Sequence, residues 1–180
     1  MLDPNRDLRE LKTRLERVDT VENRRLLAEA YMIRGQFLEA KTLIDASLAG
    51  VHAGDTSLLM ASDRARVGLG DHAGALAALD HLRATHPNFR SSEAHLVYAR
   101  SLEGLGRDEE AQEEYRDLVG YAPGEEVRCR FGQLLLRRGE SAAARSMFQE
   151  VLKNAKHGTS RYRREQQPWI EAAEKALAGS

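Results

Sequence analysis

Apolar residues fall on helical spacings along the whole chain, and glycines interrupt those spacings at nearly equal intervals. Leu8, Leu11, Leu15 and Val18 lie four, four and three residues apart, which places them on one face of a helix predicted over 3–18. Asp3 as N-cap and Pro4 at the first helical position would start that helix. Asp19 and Thr20 offer the next N-cap. Glu22, Arg25, Leu26, Leu27, Ala28 and Tyr31 carry a second helix, ended by Gly35 because glycine accepts the left-handed backbone of a tight helix C-cap. Four times a glycine is followed five residues later by an alanine: Gly35/Ala40, Gly70/Ala75, Gly106/Ala111 and Gly139/Ala144. The glycines are 35, 36 and 33 residues apart, the signature of stacked helical hairpins. The pattern predicts an all-α solenoid in one domain, 1–180, with hairpins over 21–54, 55–90, 91–124 and 125–156. After Asn154 the chain turns polar and basic, and apolar spacing resumes at Trp169, Ile170, Ala173 and Leu177. A terminal helix over 160–178 is therefore expected to cover the end of the stack, with Pro168 in its first turn and Trp169 as a packing anchor.

The residues at fixed offsets from each glycine carry a family resemblance. Leu27-Ala28-x-x-Tyr31-x-x-x-Gly35-x-x-x-x-Ala40-x-x-x-Ile44 resembles a tetratricopeptide repeat. Tyr98-Ala99-x-x-Leu102-x-x-x-Gly106-x-x-x-x-Ala111-x-x-x-Tyr115, ending in Pro123, resembles it more closely, and Phe131-Gly132-x-x-Leu135-x-x-x-Gly139-x-x-x-x-Ala144-x-x-x-Phe148 matches again. The resemblance implies a right-handed superhelix of about four repeats. Independently of the name, small residues at Ala28, Ala99, Gly132 and the four alanines let paired helices approach closely. Larger groups at Tyr31, Leu102, Leu135, Ile44, Leu79, Tyr115 and Phe148 fill the space between hairpins. The second unit departs from the pattern, with Asp63 at the small position and Arg66 at the large one. Either the two pair as i and i+3 neighbours, or the helix shifts phase to bury Ala61, Ala65 and Leu69, which is the favoured expectation.

Composition narrows the function classes. Lys and Arg number 27 against 28 Asp and Glu, a balance that argues against nucleic acid as the partner. A basic stretch from Lys153 to Arg164, read as a loop, offers a salt-sensitive contact with anionic lipid or nucleic acid, but Tyr162 is its only aromatic. Cys129 is the lone cysteine, so no disulfide framework and no zinc motif is expected. The six histidines form no metal-ligand spacing, and the acidic run Asp108, Glu109, Glu110, Glu113 and Glu114 reads as a solvated helix face near its N-terminus. Neither a catalytic site, a metal nor a cofactor is expected. No apolar run is long enough for a signal peptide or a membrane span, which points to the cytoplasm.

The tetratricopeptide resemblance implies a concave groove lined by the first helix of each hairpin. Mapped here, the groove-facing residues include Arg25, Glu29 and Met32, then Met60 and Arg64, then Leu96, Arg100 and Glu103, then Cys129, Arg130, Gln133 and Arg137. The row is rich in arginine, which recognises carboxylates bidentately, so an acidic peptide or protein segment is the expected ligand. The positions that hold a Lys and two Asn in chaperone-tail binders of the family carry Arg25, Glu29 and Ala61, so that clamp is not matched. The chain also resembles bacterial tetratricopeptide proteins with an N-terminal hydrophobic segment like that of cardiolipin synthases, through Leu2-Asp3-Pro4-Asn5-Arg6-Asp7-Leu8, Tyr162-Arg163-Arg164 and Trp169-Ile170. That resemblance implies membrane association only through an upstream segment. The alternative to peptide binding is a structural module that forms a homo-oligomer through the Leu8/Leu11/Leu15 stripe.

Overall fold

The computed structural model describes residues 6–49, 52–86 and 90–179. Among them every regular element is an α-helix, and the chain divides into two compact units, Met1–Phe89 and Arg90–Ser180. The first unit holds α1 (Arg6–Arg17), α2 (Val21–Ile33), α3 (Phe37–Leu48), α4 (Thr56–Gly68) and α5 (His72–Thr85). The second holds α6 (Ser92–Gly104), α7 (Asp108–Val119), α8 (Glu126–Arg137), α9 (Ser141–His157) and α10 (Ser160–Ala178). The Asp3 and Pro4 start signals lie outside the described residues.

The four hairpin turns, α2/α3, α4/α5, α6/α7 and α8/α9, repeat one arrangement. Gly35, Gly70, Gly106 and Gly139 have φ of +73°, +79°, +72° and +80°. The amide after each glycine returns to a carbonyl five residues earlier: Gln36 to Tyr31, Asp71 to Arg66, Arg107 to Leu102 and Glu140 to Leu135. This Schellman geometry satisfies carbonyls left open at the helix end and aims the chain back along it. The alanines five residues on, Ala40, Ala75, Ala111 and Ala144, are then fully buried, as are Ala28 and Ala99. At Gly132 a Cβ would stand 2.8 Å from the ring of Phe148, so the large residue of α9 occupies space that only glycine leaves free.

In the first unit, α1 packs against α2 with Leu8, Leu11 and Leu15 half-buried. The Thr20 hydroxyl accepts from the amide of Asn23 (3.2 Å), and the buried Asn23 side chain donates to the carbonyl of Val18 (2.7 Å). The α1/α2 turn is thus closed from both sides. Ala28, Met32, Ala40, Ile44, Leu58, Ala61 and Ala65 form one core, with Tyr31, Phe37 and Leu43 against it.

Of the residues that a phase shift of α4 was expected to bury, Ala61 and Ala65 are buried and Leu69 is not, and Asp63 and Arg66 pair instead. Asp63 keeps the small position and is 2% exposed, while Leu69 is 44% exposed. The carboxylate is held by Arg66, Nη1 to Oδ1 3.3 Å, and Arg66 also donates to the carbonyl of Gly74 on α5 (3.3 Å). Pairing wins because the guanidinium reaches a carboxylate one turn away and a backbone acceptor on the partner helix without altering the hairpin geometry.

The terminal helix α10 runs from Ser160 to Ala178, with Ile170 and Ala173 buried. Its start is fixed by Thr159, which caps the amide of Tyr162 (3.1 Å). Pro168 therefore sits inside the helix and not in its first turn. Pro168 and Arg164, whose carbonyl loses its helical partner, are both exposed. The basic stretch 153–164 is likewise not a loop: α9 extends through His157, and Arg163 reaches back to the carbonyl of Gly158 (2.5 Å).

Burial raises the Asp63 carboxyl to about 7, against the opposing pull of Arg66. The folded chain thus holds this proton more tightly than the unfolded chain, whose Asp titrates near 3.9. Stability contributed by Asp63 is full below about pH 4 and is lost as pH rises through about 7, with a slope of at most about 1.4 kcal/mol per pH unit. Asp63→Asn is expected to flatten this slope, measured by thermal melts followed by circular dichroism between pH 4 and 8.

Candidate functional site

The first helix of each hairpin carries the residues expected to meet a ligand, and the two units treat them differently. On α2, Arg25 is bound on both sides, to Glu22 (2.8 Å) and to Glu29 (2.6 Å), so its charge is compensated within its own helix. Arg64 on α4 is half-buried and also engaged. Met32 and Met60, expected at the surface of a groove, are 7% and 5% exposed and belong to the interior of the unit.

In the second unit, α6 and α8 bring Arg100, Glu103, Arg130 and Arg137 into one electrostatic cluster. Glu103 is half-buried and fully engaged: Tyr115 of α7 donates its hydroxyl to Oε2 (2.6 Å), and Arg137 of α8 pairs with Oε1. Tyr115 is itself completely buried, stacked on Phe131 at 6.1 Å. Burial, with Glu103 alongside, pushes its hydroxyl far above the usual phenol range and keeps it a donor. Arg130 binds Glu126 one turn earlier (2.7 Å) and lies over the Trp169 ring of α10 at 5.0 Å, a cation–π contact. Trp169 anchors packing as expected, and it does so through this arginine. Gln133 lies against the sulfur of Cys129, Nε2 to Sγ 4.0 Å.

Arg100 stands apart from the others. It is half-buried on α6 and has no hydrogen bond or ion pair among the described residues. Burial, with the neighbouring Arg130, presses its guanidinium toward the neutral form against the weaker opposing pull of Glu126 and Glu103, yet an arginine does not give up its proton in a protein. Three guanidinium groups, Arg100, Arg130 and Arg137, therefore face two carboxylates, Glu103 and Glu126, with one positive charge left over.

Cys129 is fully buried, and burial raises its thiol to about 11; the thiolate needed for nucleophilic chemistry is not available at neutral pH. Among the described residues no group of three His, Cys, Asp or Glu side chains is placed to hold a metal ion, and no helix is long and apolar enough to cross a membrane. His95 ties α6 to the end of α7, one ring nitrogen paired with Glu114 and Nδ1 2.6 Å from the hydroxyl of Tyr121.

A family model described as the tetratricopeptide repeat matches residues 66–129. With the four identical turns, this decides the architecture. The fold is that of a tetratricopeptide solenoid, and residues 66–129 carry the repeat's sequence pattern. A tetratricopeptide protein of Thermus thermophilus superposes with a TM-score of 0.76 at 17% identity, over 95% of this chain and 89% of that one. A second, from Parabacteroides merdae, gives 0.72 at 14% identity over 93% of this chain and 63% of its own. MamA from Desulfovibrio magneticus, residues 41 to the end, gives 0.64 at 18% identity, covering 87% of this chain and 88% of that fragment. At these identities the likeness is one of fold. No curated protein matches the sequence. Tetratricopeptide folds serve in general as scaffolds for protein–protein interaction.

Three participants were not singled out as site residues from sequence: Tyr115, Glu126 and Trp169. Glu126 had a local signal, since it lies four residues before Arg130. Tyr115 reads only as a hairpin-filling residue, because its hydroxyl meets Glu103 across twelve positions of chain.

The end of the unit is closed by a buried polar knot. Glu125, 1% exposed, accepts from Tyr162 of α10 and from Asn154 of α9 (2.9 Å), lies 3.7 Å from Arg128, and donates its amide to Gln166 of α10 (2.8 Å). Burial and Glu125 raise the Tyr162 hydroxyl to about 12, so it remains a donor at physiological pH. Tyr162→Phe is expected to cost about 1–3 kcal/mol and to speed amide exchange selectively in α10, as read by hydrogen–deuterium exchange.

Proposed function

We propose that this chain is a non-catalytic interaction scaffold of the cytoplasm, holding an acidic peptide or protein segment on the faces of its first helices. The observation that carries this reading is Arg100. A half-buried guanidinium with no carboxylate hydrogen-bonded to it is costly to the free protein, and a ligand carboxylate that supplies that bond recovers the cost on binding. Arg130 and Arg137 are paired with Glu126 and Glu103, so the excess positive charge of the cluster rests on Arg100, and Trp169 lies over Arg130. In the first unit the charge of Arg25 is already compensated by Glu22 and Glu29, which suits that face to hydrogen bonding and less to capturing charge. Gln133 extends the polar face of α8.

A blocked tetraglutamate peptide is the direct probe. Native chain is expected to bind it with an affinity that falls as salt rises, and Arg100→Glu/Arg130→Glu is expected to weaken it at least tenfold while keeping the helical circular dichroism. Equal affinity of the two proteins, measured by fluorescence anisotropy, would sink the reading.

A further inference from the structure

Arg100 and Glu103 are three residues apart on α6, the spacing at which an arginine and a glutamate pair on a helix surface. They do not pair here. The reason lies on the two following helices: Tyr115 on α7 holds one carboxylate oxygen of Glu103, and Arg137 on α8 holds the other. Elsewhere in the same chain, arginines at this spacing do take their glutamates, as Arg25 with Glu22 and Arg107 with Glu110. The bare state of Arg100 is therefore imposed by tertiary contacts and is not a property of α6 alone.

Resting on the acidic-segment reading above, we infer that Tyr115 is a positioning residue that keeps the site open by holding Glu103 away from Arg100, and that the site so kept is matched to one ligand carboxylate. The charge count supports a single carboxylate: three arginines and two glutamates leave one cation uncompensated. Tyr115 suits the task because it cannot move. It is fully buried, its ring stacks on Phe131, and its hydroxyl donates to Glu103. A buried phenol needs an acceptor, so the hydrogen bond that satisfies Tyr115 is the one that occupies Glu103. Loss of that hydroxyl frees Oε2, and Arg100, three residues earlier on the same helix and already acting on Glu103 through its charge, becomes available to it.

The test uses the full chain with 15N-labelled arginine, the Nε–H signal of Arg100 being assigned by its disappearance in Arg100→Lys. In the peptide-free native protein this signal is expected to exchange rapidly with water; in Tyr115→Phe it is expected to slow and shift as Glu103 pairs with Arg100. Blocked tetraglutamate should bind Tyr115→Phe about tenfold more weakly than the native chain. The double variant Tyr115→Phe/Glu103→Gln should restore binding, because the internal competitor is gone. An unchanged Arg100 signal in Tyr115→Phe, or a double variant that stays as weak as the single one, overturns the positioning role. Failure of tetraglutamate to move the Arg100 signal in the native chain overturns instead the acidic-segment reading, and the peptide-free comparison still decides what Tyr115 does.

Discussion

Everything in this chain depends on how closely two helices of a hairpin can approach. The distance is set where a side chain is almost missing, at Ala28 and Ala40, Ala99 and Ala111, or Gly132 and Ala144. Close approach carries the larger residues four positions further along, Ile44, Tyr115 and Phe148, fully into the interior. The turn makes the approach repeatable. A left-handed glycine and one long backbone hydrogen bond deliver the second helix in the same way each time, whatever the remaining sequence.

The same packing rule explains where polarity enters the interior. Three buried carboxylates or phenols break the apolar pattern, at Asp63, Tyr115 and Glu125, and each is met by a group on another helix or another turn. Asp63 occupies a position that asks for alanine, and its partner Arg66 occupies one that asks for leucine, so the two departures answer each other. Glu125 sits where α8 begins and gathers α9 and α10 around it. These are the points at which the repeats lose their equivalence.

How far the sequence foretold this follows from the range of each interaction. The helices, the turns, the buried alanines and the closing helix are set by residues within one hairpin or at a fixed offset from its glycine, and all were readable. The arginine row was readable too, as a list of positions. What the list could not contain was which arginine lacks a partner, because that depends on Tyr115 and Arg137 reaching Glu103 from different helices. Pro168 was misplaced for a related reason: proline marks a first turn on local grounds, whereas Thr159 and the Glu125 knot start α10 about two turns earlier. At Asp63 the local pattern raised the right question, and only the carbonyl of Gly74 across the hairpin showed why pairing prevails.

The interior position of Cys129 bears on how such a protein can be interrogated. Its sulfur lies beneath the surface of α8, with its thiol pushed out of the range in which thiolates form. A cysteine introduced on any exposed helix face would therefore be the one nucleophile that alkylating dyes meet at neutral pH. The native chain is therefore expected to serve, for labelling purposes, as a cysteine-free background on which distances and orientations can be reported one site at a time.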